Sequence, residues 1–414
     1  GFTNAPFANE SIVALGSGGT VTITSNSSLG VSGSITASNS INLRAANIGT
    51  SVLQNGALTV NAPAISAVAS GFANIDNTFN VNGPGSGLVS LVANQLAGNS
   101  SAGTKFIFRA LNASNLAITT PILAQDINLI APSGRLSIDA NLVGNQFVSL
   151  NSNNVTTSAS SLVSGGKIVL SGTTNTDLTI TNAGTITATA DTITAASAAG
   201  FSLHISGGGT MNGTSGSIVL TATSLGATAN NLNFTGNQTF NGSTVLNAAG
   251  ANQAVFVASS TLVIGNNLVA LSTPTLIEQG DIQGNPLIFI PPTGQAGTIA
   301  NSAGNIDLNQ INGLTFLGQN LAILAAGSII NSGGAKTINL STNAGGTAGS
   351  LTLVAGYNFG PATQGTAGPI ATPFQLTNAT SGSINLANVA INTSSVVGNG
   401  GSVLAVANGP IAMG

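Results

Sequence analysis

Almost nothing in this chain is charged. Asp, Glu, Lys and Arg together make up 4% of its 414 residues, against about 25% in an ordinary soluble domain, so Ser, Thr, Asn and Gln must keep its surface in water. A body of stacked layers has a physical reason for that exchange. Identical charges lying above one another repel, whereas Asn ladders and rows of Thr hydroxyls hydrogen-bond from one layer to the next. Low charge over this length therefore predicts a structure that repeats along an axis. Length points the same way, because a compact core stops growing beyond about 250–300 residues and a repeat architecture escapes that limit. Its interior has to be aliphatic and narrow: aromatic residues make up 4%, there is no Trp, and Tyr357 is the single Tyr.

Apolar residues recur with a period of two. Val21 and Ile23 alternate with Thr20, Thr22 and Thr24; Ile41 and Leu43 with Asn42 and Arg44; Ile127 and Leu129 flank Asn128; Ile384 and Leu386 flank Asn385. Such stretches are short β-strands, and the unbroken apolar run from Val403 to Val406 suits a strand buried on both faces. A Gly opens many of them, as in GKIVL from Gly166, GSIIN from Gly327, GSLTL from Gly349 and GSINL from Gly382. Gly is expected where a chain turns a tight corner and the next layer's backbone passes close by. The hairpin turns and cross-strand charge pairs of a sandwich are scarce. The fold class read from the residues is all-β: a right-handed parallel β-solenoid, or β-helix, forming a single elongated body over residues 1–414. With about 20 residues per coil and ~4.8 Å between coils, about 20 coils would reach roughly 100 Å. Pro-bearing breaks predict loop excursions at 278–297, with Pro286, Pro291 and Pro292, and at 355–373, with Pro361, Pro369 and Tyr357, because Pro withholds an N–H from an interior ladder.

Residues 304–334 (GNIDLNQINGLTFLGQNLAILAAGSIINSGG) resemble the repeats of filamentous-haemagglutinin-type bacterial surface proteins, and residues 178–194 and 382–392 are similar. The resemblance implies an exported chain folded as a right-handed β-helix, hence an extracellular or cell-surface location. The chain opens at Gly1 with no basic-then-apolar leader and no counterpart of that family's secretion domain, so a processed form or an excerpt of a longer chain is expected.

Several function classes are excluded by composition. A net charge of -3 with six Lys and Arg provides neither a phosphate-binding surface for nucleic acid nor a polybasic membrane patch. Ser, Thr, Asn and Gly interrupt every long uncharged stretch, so no membrane insertion is expected. Without Cys there are no disulfides, and with His204 as the single His there is no zinc site; no cofactor is expected. His204 shares the polar face of its strand with Ser202 and Ser206, which suits a solvent-facing position better than a Ser-His-Asp arrangement. Asp126 and Asp139, with Arg135 between them and Lys105 and Arg109 upstream, form the one local concentration of charge. It reads as a stacked surface cluster rather than the acidic pair of a polysaccharide-cleaving enzyme, which needs carboxylates ~5–9.5 Å apart. The nearest approach to a calcium-binding turn, Gly207, Gly208 and Gly209, lacks the Asp such turns use. Asn233, Asn237 and Asn241 are crowded Asn-x-Ser/Thr glycan acceptors.

What remains is a structural role. Solenoid ends expose strand edges, which natural proteins protect with charges, Pro or a capping helix; neither terminal apolar segment carries a clear cap. A head-to-tail contact that does not close generates a filament. The expectation is a non-enzymatic structural subunit of an extracellular fibre whose partners are copies of itself. The contact is expected through Phe2, Phe7, Ile12, Val13 and Leu15 at one end and Val403, Leu404, Val406 and Ile411 at the other, with segment 1–15 lending a strand. The alternative is the stalk of a large adhesin whose loops at 278–297 and 355–373 meet host or cell-surface glycans.

Overall fold

The computed structural model describes residues 121–173, 176–225, 231–250, 294–342 and 381–414 without a break, and elsewhere shorter segments, mostly strands, within 11–118, 253–290, 346–359 and 376–379. The fold is an all-β parallel β-solenoid. Its strands pair in parallel with strands one coil on, and its helical content among the described residues is the 3-10 turn Leu308–Gln310. The chain divides into two compact units: Gly1–Thr173 with Leu178–Thr194 and Gly209–Gly216, and Thr174–Asp177 with Ala195–Gly208 and Ser217–Gly414.

In the first unit, the strands Ile122–Ile138 and Leu142–Thr157 show how a coil is built. They pair in parallel, with the register broken between Ala124 and Asp126 and again between Ala131 and Arg135. Three straight runs joined by two bends result, and Pro132 falls in the second bend, where it costs no ladder hydrogen bond. Inward positions align from coil to coil: Ile127 with Val148 and Ile168, Leu129 with Leu150 and Leu170, Leu136 with Val155 and Ile180. All of them are fully buried, each worth about 1.5–3 kcal/mol relative to exposure. The residues between them, such as Asn128 and Ser149, are half-buried on the other face. There, Asn151 Nδ2 donates to Ser171 Oγ at 2.9 Å, 20 residues on. At the end of the third run the inward line changes chemistry, as Ile118 and Ile138 are followed by Thr157 and Asn182. Thr157 Oγ1 donates to Asn182 Oδ1 at 2.7 Å and accepts from the Ala183 and Gly184 N–H groups at 3.1 Å. A polar corner is thus buried with its partners supplied.

The second unit contains a longer line. Leu203, Leu232, Val255, Leu276, Ile299, Ile323 and Leu353 stand in register on successive strands, all fully buried, and Ala405 is the next in line. The opposite face of the same strands is also apolar here. Ala254, Phe256, Ile277, Ala300, Leu324 and Val354 form a second buried cluster against which Ala322 and Tyr357 pack. Burial on both faces explains unbroken apolar strands such as Leu321–Ala325, where alternation disappears. Wider parts of this interior are filled by Phe pairs: Phe234 and Phe240 meet edge-on at 5.9 Å, and Phe289 and Phe316 at 5.6 Å.

Corners of the second unit rest on stacked glycines. A side chain on Gly382 would strike the carbonyl oxygen of Gly327 and the backbone of Gly356, and one on Gly409 would meet Gly382 O at 2.8 Å. Between Ala325 and Ile329 the corner is Ala326-Gly327-Ser328, but on the next coil the chain leaves after Ala355 and rejoins at Ile384. Gly356, at φ 78°, donates its N–H to Gly327 O at 2.8 Å, and Gly382 lies directly against it. The interruption is therefore gripped by two touching glycines. Of the segment between them, strands Tyr357–Phe359 and Leu376–Ala379 pair antiparallel; residues 360–373 of the expected excursion, 355–373, lie outside the described residues. Within the other Pro-bearing segment, 278–297, strands Ile282–Gly284 and Leu287–Ile290 continue ladders from Leu262–Ile264 and Val269–Ser272, while residues 279–281, 285–286 and 291–293, and with them Pro286, Pro291 and Pro292, lie outside the described residues.

Candidate functional site

The coil made by Val389–Asn392, Val403–Ala407 and Ile411–Met413 differs from every coil before it in the second unit. Each of these strands pairs on one side, with Lys336–Asn339, Leu351–Ala355 and Ile384–Leu386 respectively, and has no strand on the other among the described residues. Residues that are core one coil earlier are surface here. Leu351 is fully buried while its register partner Val403 is 43% exposed; Ile384 is fully buried while Ile411 is 46% exposed. Leu404, Met413, Val396 and Val397 are exposed as well, and Val406 is half-buried in line with Val354. The expected contact residues Val403, Leu404, Val406 and Ile411 thus lie on the same coil, with Val403 on the inward line and Leu404 and Val406 on the other side of the strand.

Polar groups on this face continue a line that begins inside the unit. The Ser350 N–H donates to Asn320 Oδ1 at 2.9 Å, and on the next coil the Ser402 N–H donates to Ser350 Oγ at 3.1 Å. Ser402 Oγ, itself donating to Ser350 Oγ at 3.1 Å, occupies the accepting place for one coil more. A parallel line runs from Asn305 Oδ1 to the Ser328 N–H at 2.7 Å and from Ser328 Oγ to the Ser383 N–H at 3.0 Å. There the next residue is Pro410, which has no N–H to give and no side-chain oxygen to offer. Reasoning from the apolar run alone missed Ser402, Met413, Val396 and Val397; the Ser-before-strand pattern at Ser328, Ser350, Ser383 and Ser402 was the available signal. No residue after Lys336 is Asp, Glu, Lys, Arg or His, so the face carries no side-chain charge.

At the other end of the sequence, Ile12 and Val13 lie in strand Ser11–Ala14, paired in parallel with Gly33–Ala37 of the same chain. Val13 is 54% exposed. Phe2, Phe7 and Leu15 lie outside the described residues.

Charged side chains elsewhere form small separate sets. His204 Nε2 lies 3.0 Å from Asp177 Oδ2, whose other oxygen accepts from the Ser202 N–H at 2.8 Å. The His is part-covered rather than freely solvent-facing, because a carboxylate from the preceding coil reaches it. Lys167 and Asp191 form an exposed pair at 3.4 Å. Arg135 Nε donates to Thr156 Oγ1 at 3.0 Å while Asp139 Oδ2 accepts from Ser137 Oγ at 3.0 Å. Asp126 opens the second run and stands in register with Lys105, whereas Asp139 follows the third run. One bend separates the two carboxylates. Asp307 accepts from the Ser332 hydroxyl, and from the Ser332 and Asn309 N–H groups at 3.0 Å. Burial alone pushes its pKa up, but these bonds and the nearby Lys336 ammonium outweigh it and hold the group below 3.8. Among the described residues no three His, Asp or Glu side chains converge as a metal site would require, and no helix is long and apolar enough to cross a membrane. The glycan-acceptor reading fails at Asn233, which is fully buried with no hydrogen-bond partner for either amide atom; Asn237 and Asn241 are exposed. Comparison with protein-family models, with curated proteins and with solved structures found no match to the chain.

Proposed function

We propose that the chain is a structural subunit of an extracellular fibre, built by stacking one solenoid upon the next. The observation that supports this most is the repetition of one coil-to-coil interface, an aliphatic inward line in register from Leu203 to Leu353, in a chain with only 4% charged residues. Strand edges that expose a row of N–H and C=O groups beside apolar side chains are templates for pairing, and long-lived proteins blunt them with charges when pairing is unwanted. Here no charge follows Lys336. The resemblance of residues 304–334 to haemagglutinin-type repeats supports an exported setting. Association through such a face is driven by apolar burial and main-chain pairing, so it resists salt, which weakens only ionic contacts. Sedimentation velocity at low and high salt is the test: concentration-dependent growth of large species at both is expected, and a monomer at every concentration would contradict the proposal.

A second reading, the stalk of an adhesin, is favoured by the interruption between Gly356 and Gly382. It predicts that removing residues 357–381 abolishes attachment to cells or glycans; attachment unchanged by that deletion sinks it.

A further inference from the structure

We propose that Asn312 is a self-modifying residue: its side-chain amide closes on the Gly313 nitrogen to a succinimide, which water opens to Asp or isoaspartate, and the Lys336 ammonium promotes the closure. Asn312 ends the short strand Ile311–Asn312, and Gly313 follows it at φ 76°. Both residues are exposed. From the next coil, where it opens the strand Lys336–Asn339, Lys336 reaches back across 24 residues of sequence and donates from Nζ to Asn312 Oδ1 at 2.7 Å. The same ammonium lies 3.4 Å from the carbonyl oxygens of Asn309 and Ile311, so three oxygens fix its charge against the amide. An open hollow of about 270 Å³ lies between residues 311–315 and 335–337. Water therefore reaches the amide, and the ring has room to form.

The chemistry needs water as its one co-reactant. Gly313 N–H gives its proton to water while the nitrogen bonds to Asn312 Cγ, an intramolecular attack that gains from proximity and that no Cβ on the glycine obstructs. Negative charge then collects on Oδ1, the atom on which the ammonium already rests, and a donor placed in advance stabilises that oxyanion more than the neutral amide. The Cγ–Nδ2 bond breaks, and Nδ2 takes a proton from water and leaves as ammonia. Water next adds to one of the two ring carbonyls. Opening at one gives Asp, whose carboxylate faces Lys336. Opening at the other gives isoaspartate, which routes the main chain through the side-chain carbon and lengthens it by one methylene. That extra length falls where Ile311 and Asn312 pair with Leu287 and Ile288, so this product offsets a coil-to-coil register. Two other Asn-Gly pairs lack these conditions: Asn212 Nδ2 is tied to Thr187 Oγ1 at 3.2 Å, and Gly213 and Gly242, which follow Asn212 and Asn241, are buried.

The test is peptide mapping by mass spectrometry of the full chain after timed incubation at neutral pH in heavy-oxygen water, which labels only conversions that occur during the incubation. Asn312 is expected to convert several-fold faster than Asn212 or Asn241 in the wild type. Lys336→Met, which keeps the length of the side chain and removes its charge, is expected to slow Asn312 about tenfold, the low end for a hydrogen bond to a charged group, and to leave Asn212 and Asn241 unchanged. Lys336→Gln is the second variant should Lys336→Met lose the wild-type circular dichroism. An Asn312 that stays intact, or that converts no faster than the other two, overturns the proposal. So does a rate that is equal or higher in a folded Lys336 variant, because a lysine that merely held the corner together would, once removed, leave the amide freer to cyclise. A peptide joining residues 312 and 336 with loss of ammonia would overturn it as well, since Lys336 would then be the nucleophile rather than the charge beside the oxyanion.

Discussion

Individual residues decide how closely the coils approach. Gly382 is the clearest case, because the atoms that a Cβ would strike belong to the backbones of Gly327 and Gly356 and cannot rotate away. Gly382→Ala is expected to cost about 1–3 kcal/mol, read as a lowered melting temperature; a melt unchanged from wild type would show that the two corners are not in contact. Asp307 sets a pH response. Its folded pKa is depressed below 3.8, so its contribution is present above the unfolded value and is lost as pH falls through the folded one. As the cap of the turn Leu308–Gln310, it is worth about 1 kcal/mol. Thermal melts across the acid range should show Asp307→Ala less stable at neutral pH and converging on wild type as pH falls through the lowered folded pKa of Asp307; a constant gap at all pH values would assign the loss to packing instead. Residue chemistry was only partly legible in the sequence. That His204 shares a strand face with Ser202 and Ser206 could be seen from alternation, but its carboxylate partner Asp177 is 27 residues away, and only the coil length makes them neighbours. Asn233 read as a surface acceptor because its Asn-Phe-Thr motif carries no information about the cover that buries it.

At the scale of elements, period-two alternation was readable wherever one strand face is inward and the other wet, as in Leu178–Asn182. It failed where both faces are covered, in Leu321–Ala325, because apolar residues then occupy every position. Proline proved an ambiguous marker. In sequence it lies beside strands that continue a ladder in 278–297 and also in the interrupted stretch 355–373, since Pro is kept out of interior ladder positions in either case. What separates the two is the paired glycine, Gly356 and Gly382. Joining them directly would give Ala355-Gly356-Gly382-Ser383-Ile384, matching Ala325-Ala326-Gly327-Ser328-Ile329 of the coil before. A chain lacking residues 357–381 is therefore expected to fold with its coils intact. Among the described residues it should lose the packing of Tyr357 on the cluster that includes Phe256 and Val354, about 1–3 kcal/mol. Circular dichroism and a thermal melt check this, and collapse of the β signal would mean that the segment is part of the framework.

For the molecule as a whole, composition and architecture are one argument. A surface with little charge is tolerable where Ser, Thr and Asn bond from coil to coil, as Asn151 does with Ser171 and Ser350 with Ser402. If copies stack end to end as proposed, the spacing between coils is also the spacing between strands of neighbouring molecules. Fibre diffraction from aligned, concentrated protein measures this directly. The account predicts a sharp meridional reflection at ~4.8 Å, strengthening as filaments lengthen. Isotropic scattering from separate monomers, or strands lying along the fibre axis, would contradict it.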